Sequence, residues 1–150
     1  MRRRQRFPRQ WLIVECSSAT VTHTMSRLDR GSGVLVLGSL PAGRMRQLRR
    51  AALQRGLMIT KEHPGTATRV HDVRELRGAL LRRTPMILLS PIFPTRSHPG
   101  QAPIPRMRAA ALARLARGRL IALGGMDARK FARIENLGFR GWAGISAFRT

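Results

Sequence analysis

The chain has 150 residues, 43% of them hydrophobic, enough for one domain with a real core and too many for a disordered polymer. Its 29 Lys and Arg against 7 Asp and Glu give a net charge of +22, and no run approaches the roughly 18 apolar residues of a membrane span. A single cysteine, Cys16, excludes an intrachain disulfide and fits a reducing cytoplasm. Residues 1–9 form a basic tail ahead of one domain over 10–150. The start MRRRQRFPRQWLIV imitates a signal peptide, but its apolar part, Trp11–Val14, is too short for one.

Short apolar runs recur along the chain: WLIV (11–14), VLVL (34–37), LMI (57–59), MILL (86–89), LIAL (120–123) and WAGI (142–145). Runs of this kind predict strands covered on both faces, as in parallel sheets. Arginine-rich stretches with helical spacing lie between them. Pro41 opens one helix, Met45, Leu48 and Ala52 mark its inner face, and Gly56 stops it. Asp72 with Glu75 predicts a capping box, with Val73, Leu76 and Leu80 inward. From about 105, Met107, Ala111 and Leu115 share a face. Asp127 caps a last helix that turns Phe131, Ile134 and Leu137 inward.

Strand and helix therefore alternate, which predicts an α/β fold wound into a (β/α) barrel or an open sheet. One place breaks the rhythm. TKEHPGTATRVH (60–71) is all that separates LMI from the Asp72 helix, whereas a parallel crossover takes about 10–12 residues. TRVH (68–71) cannot follow LMI as an ordinary neighbour. The expectation is a barrel-like fold of about seven strands, incomplete, with one βα unit missing near residues 60–68. Strand edges left uncovered predict a homodimer.

The most informative stretches are LLSPIFPTRSHPG (88–100), IALGGM (121–126) and GISAF (144–148). Thr95 and Ser97 offer hydroxyl donors, and Arg96 or His98 a charge, as a phosphate requires; the plain alternative is a polar loop leaving through Pro99-Gly100. Gly124-Gly125 either lets backbone N–H groups approach an anion or is simply a tight turn. In parallel α/β folds ligands bind beyond the carboxyl ends of the strands, where all these segments belong. Ser90 lines the pocket floor or is a strand-end turn residue. His71 lines the pocket mouth or makes a structural hydrogen bond. Glu15, Glu62 and Asp72 lie near strand ends, but no two acids show ligand spacing, and no metal site is assigned. Cys16, His23 and His63 carry no chemistry on this reading.

Residues 66–148 resemble the second half of the thiamine-phosphate synthases and their TenI relatives, which are (β/α) barrels. RVHDVREL matches that family's Ser/Ala-x-His-x-x-x-Glu segment, and QWLIVE suits its first strand. The family joins a pyrimidine diphosphate to a thiazole phosphate with magnesium, releasing pyrophosphate. The resemblance implies phosphate contacts from Thr95, Ser97 and His98, where typical members read Thr-x-Thr-Lys, and from Gly124, Gly125, Ile145 and Ser146. The chain departs from the pattern elsewhere. VLVLGSL stands where Gln-x-Arg-x-Lys is expected, Thr60-Lys61 where Asn-Asp is expected, and the strand bearing a second magnesium carboxylate is missing. TenI tautomerases carry a histidine just before the phosphate loop, where this chain has Pro91.

The expected partner is thus a phosphorylated small molecule, such as a thiazole, pyrimidine or thiamine phosphate, with no cofactor evident and no membrane contact. Loss of the metal and diphosphate motifs sets the synthase reaction itself in doubt. The competing expectation is a basic RNA- or DNA-binding protein on the same scaffold. It is less favoured because the arginines spread over every predicted helix instead of forming one stripe. That alternative predicts oligonucleotide affinity falling by orders of magnitude between about 50 and 200 mM salt; absent or salt-insensitive binding removes it.

Overall fold

Seven short strands pair in parallel throughout. They are β1 (Gln10–Val14), β2 (Gly33–Val36), β3 (Met58–Lys61), β4 (Ala67–Val70), β5 (Met86–Leu89), β6 (Leu120–Ala122) and β7 (Gly141–Gly144). Their order across the sheet is β3-β2-β1-β7-β6-β5-β4. The computed structural model describes residues 6–16, 21–145 and 147–148. β1 lies at the centre, with Val14 opposite Val36 of β2 and Leu12 opposite Gly144 of β7. The result is a curled half-barrel of seven strands, with β3 and β4 as its two edges.

Every residue of β2, β5 and β7 is buried, as continuous apolar runs demand when both faces are covered. Side chains alternate between two layers. Trp11, Ile13, Leu35, Leu88, Ile121 and Ala143 pack together inside the curl. Their neighbours Leu12, Val14, Val34 and Val36 pack outward with helix residues Leu48 and Ala52, and Ile87, Leu89 and Leu120 do so on the other half. Gly33 is opposite Trp11, and a Cβ there would fall inside the indole, so glycine is what lets the ring lie across β2. Phe7 joins the inner layer, and the Trp11 indole N–H donates to the Pro8 carbonyl at 3.0 Å.

Helices run along the outer face. α1 (Val21–Met25) follows β1, and α2 (Ala42–Arg55) precedes β3 and ends on Gly56 in the left-handed region. α3 (Val73–Leu81) follows β4, α4 (Arg106–Leu115) precedes β6, and α5 (Ala128–Ala132) precedes a 3-10 turn at Glu135–Leu137. Asp72 Oδ1 accepts from the Glu75 N–H at 2.8 Å, but the Glu75 carboxylate reaches the His71 N–H, at 2.6 Å. Half of the capping box is therefore shifted by one residue. Val73 is not inward: it is the first helical residue and 44% exposed, while Leu76 and Ala79 carry the contact.

The face of α4 also differs from its apolar spacing. Met107 is 75% exposed, and Ala109, Ala110, Leu112 and Ala113 are buried instead. Alanines let the helix axis approach its neighbours closely, and Met107 and Leu115 are turned out while Leu112 packs inward. α1 gave no sequence signal: VTHTM is a single turn rich in β-branched residues, and burial of Val21, Thr24 and Met25 holds it in place.

Only Glu62–Thr66 joins β3 to β4. The chain reverses there, with His63 and Ala67 exchanging backbone hydrogen bonds at 2.9 Å each. The Thr66 hydroxyl donates to the Lys61 carbonyl at 2.8 Å, and the fully buried Thr84 donates to the Pro64 carbonyl at 2.7 Å. The Arg69 guanidinium grips Glu62 through Nε at 2.6 Å and Nη2 at 3.2 Å. This short reversal stands where a full parallel barrel has a further strand and helix. Thr84→Val, which keeps the shape and removes the donor, is expected to lower stability by about 1–3 kcal/mol. A urea titration checks it through the shift in midpoint at constant slope.

Candidate functional site

The carboxyl ends of the strands open into a cleft of about 690 Å³. The loop after β5 forms one side. It leaves Leu89 through Ser90 and a cis Ser90–Pro91 bond. It is then strapped to the end of β6 by the Ile92 N–H donating to the Leu123 carbonyl at 2.9 Å and the Phe93 N–H to the Gly124 carbonyl at 3.1 Å. Beyond the strap come Thr95, Arg96, Ser97 and His98, all lining the cleft. The Ser97 N–H donates to the Thr95 hydroxyl at 3.2 Å, a local turn that keeps both hydroxyls at the mouth.

Gly124 and Gly125 have positive φ, 97° and 58°. Their lack of a side chain has a packing cause. A Cβ on Gly124 would come within 2.8 Å of Pro91 Cα, and one on Gly125 would strike the Pro94 carbonyl oxygen. The tight-turn reading of these glycines thus has direct support, and the same close approach places their backbone at the cleft surface. Asp127 caps α5 by accepting the Lys130 N–H at 2.8 Å. Lys130 turns back so that its ammonium donates to the Gly125 carbonyl at 2.8 Å and lies 5.7 Å from the Phe93 ring centre. One lysine therefore ties α5, the glycine turn and the β5 loop together.

His71 and Ser90 form the floor beside β4 and β5. His71 Nδ1 is 2.9 Å from the Ser90 carbonyl oxygen, and a carbonyl only accepts, so Nδ1 carries the proton. The Ser90 hydroxyl is 3.3 Å from the same nitrogen. The structural hydrogen bond weighed for His71 is present, and the ring still lines the cleft. Ile145 lines it from the end of β7; Ser146 lies outside the described residues.

Eight of the nine positions singled out from the sequence, all but Ser146, thus border one cleft: Thr95, Ser97, His98, Gly124, Gly125, Ile145, Ser90 and His71. Arg69 and Lys130, which carry no motif in the sequence, also line the cleft. Arg69 is on β4 and His71 follows directly after its end, two residues on, so alternation puts both on one face. Lys130 is three residues after the cap Asp127, the spacing of facing side chains on a helix. Glu15 and Asp127 are the acids lining the cleft, against Arg69, Arg96 and Lys130. The lining thus carries three cations against two acids, with Glu62 paired to Arg69 just outside it.

Three acids at or near the cleft have their partners in the fold. Glu62 is paired with Arg69, Asp127 with the Lys130 N–H, and Glu75 with the His71 N–H. Among the described residues no group of three or more His, Cys, Asp and Glu side chains converges as for a metal ion. No helix among them is long and apolar enough to cross a membrane.

Comparison with known proteins agrees with this fold. A family model described as thiamine monophosphate synthase matches residues 50–148. The structure is similar to thiamine phosphate pyrophosphorylase from Pyrococcus furiosus, with a TM-score of 0.72 at 11% identity over 95% of this chain and 88% of that one. It is also similar to thiamine phosphate pyrophosphorylase from Bacteroides thetaiotaomicron, with a TM-score of 0.57 at 13% identity over 93% of this chain and 83% of that one. No curated protein matches by sequence.

The packing account of the glycine turn has a direct check. Gly125→Ala is expected to cost more stability than Gly56→Ala by at least about 1 kcal/mol. Both positions have similar positive φ, but a Cβ on Gly56 meets nothing closer than 3.4 Å. Equal melting shifts would mean that the β5 loop does not press on the turn.

Proposed function

Since the chain belongs to the thiamine monophosphate synthase family, we propose that it binds a phosphorylated thiazole, pyrimidine or thiamine phosphate in this cleft without carrying out the coupling reaction. The observation that carries the reading is the meeting of four separate segments at one mouth lined by three cations. The Thr95–His98 loop brings two hydroxyls, a guanidinium and an imidazole. The Gly124-Gly125 turn brings backbone, and Lys130 and Arg69 bring fixed cations. A phosphate dianion in such a place gains charge-assisted hydrogen bonds that an uncharged alcohol does not. The cleft volume is in the ordinary range for a small ligand, roughly 300–1,000 Å³.

The synthase step asks for more. A departing pyrophosphate needs its growing charge met, which in this family falls to magnesium held by carboxylates. Here the acids do not fit that task, because the chain's own cations and amides already engage them. Arg69 and Lys130 put positive charge on the cleft wall, but Arg69 shares its charge with Glu62 and Lys130 lies beside Asp127, so neither supplies the concentrated charge of a divalent ion. The residues of this chain hold and orient an anion. Thr95 and Ser97 donate to its oxygens, Arg96 and Lys130 neutralise it, and Pro91, Leu123 and Met126 give the apolar wall for its ring. The nucleic-acid alternative gains less from the site, since a cleft of about 690 Å³ matches a small molecule and the arginines spread along the chain instead of forming one stripe.

Calorimetry tests this with thiamine phosphate, thiazole phosphate and their dephosphorylated forms. The phosphorylated forms are expected to bind at least about tenfold more tightly, and Ser97→Ala to remove about that factor, the worth of one hydrogen bond to a charged group. Equal affinity for both forms overturns the phosphate assignment. Pyrophosphate release that requires both family substrates and magnesium overturns the inactive reading alone.

A further inference from the structure

A second recess lies outside the curl, between α4, the segment that follows α5 and the loop that follows β5. Its volume is about 210 Å³, and none of its lining residues borders the principal cleft. The walls are Ile92, Ile104, Ala109, Ile134 and Phe139, with the Phe93 ring as one side. The rim carries two cations and no acid: Arg106 and Arg133. We propose that this recess is a binding site for a small apolar carboxylate, its hydrocarbon body against the isoleucines and its carboxylate between the two guanidiniums.

Three observations carry the assignment. The first is charge. Arg106 Nη1 donates to the Arg133 carbonyl at 2.8 Å, which brings the first guanidinium to the second residue's backbone. Neither has a carboxylate partner among the described residues. The nearby Glu135 is taken by Arg9, and Asp127 by Lys130. Two guanidiniums at one rim repel each other, and an anion between them relieves that and uses N–H donors otherwise left to water. The second is the wall. Ile92, Ala109, Ile134 and Phe139 are each less than 10% exposed and belong to the main core, so the lining is rigid and apolar. The third is size. At roughly 30 Å³ per water-sized unit the recess holds about seven heavy atoms, one ring with a methylene or a short branched chain. Arg133 also lies 5.8 Å from the centre of the Phe93 ring, which braces its guanidinium at the rim. The assignment is independent of the ligand of the principal cleft.

The test is titration of the whole protein, with isoleucine methyl groups isotopically labelled, by phenylacetate and by its uncharged analogue phenylacetamide. The methyls of Ile92, Ile104 and Ile134 are expected to shift with phenylacetate and those of Ile13 and Ile145, which line the principal cleft, to stay. Arg133→Gln and Arg106→Gln alter exposed side chains and leave the core alone. Each is expected to weaken phenylacetate at least fivefold and to leave phenylacetamide unchanged. No shift at about 10 mM, ten times the dissociation constant of a weak site, overturns the proposal. So do equal responses to acid and amide, or shifts confined to Ile13 and Ile145.

Discussion

A parallel strand can be followed by its neighbour only if the chain has length enough to return to the other end of the sheet. Glu62–Thr66 is too short for that return, and the rest of the architecture follows from it. β3 and β4, consecutive in sequence, become the two edges of the sheet, and the five strands between them must bend it into a half-barrel. The reversal is held by backbone exchange between His63 and Ala67, by the buried Thr84 hydroxyl and by the Glu62–Arg69 pair. The ion pair is partly exposed, with side-chain accessibilities of 41% and 24%, so its worth lies in orientation more than in energy.

That orientation reaches the site. Arg69 is held across the seam by Glu62 and borders the cleft beside His71 and Ser90. On the far side, Lys130 performs the matching task by tying the glycine turn to the β5 loop. The shortened barrel thus keeps the loops after β5, β6 and β7 around one cleft, with Arg69 and Lys130 on its walls. A cation fixed by hydrogen bonds is preorganised for an anion.

Much of this was legible in the residues. WLIV, VLVL, MILL and WAGI are strands because only a doubly covered strand tolerates so continuous an apolar run. Asp72, Asp127, Gly56 and Gly138 mark helix ends through local chemistry that needs no tertiary partner. The missing βα unit could be counted from the length of TKEHPGTATRVH. What misled was the choice of helix face in α4, where Met107 and Leu115 looked like core and the alanines proved to be. Spacing finds a stripe, and on a helix rich in alanine and leucine several stripes look alike. The helix α1 was silent because one turn has too few residues to show a period.

The sequence by itself determined the order of elements, the break after β3 and the clustering of hydroxyls, glycines and cations after β5, β6 and β7, since each rests on local composition and chain length. Only the tertiary structure decided that Arg69 and Lys130 join the site, that Gly124 and Gly125 are glycines because the Pro91–Pro94 loop presses on them, and that Arg106 and Arg133 share one rim. Those facts depend on which surfaces meet when the sheet curls. That is a property of distances between segments far apart in the chain, and no single segment contains it.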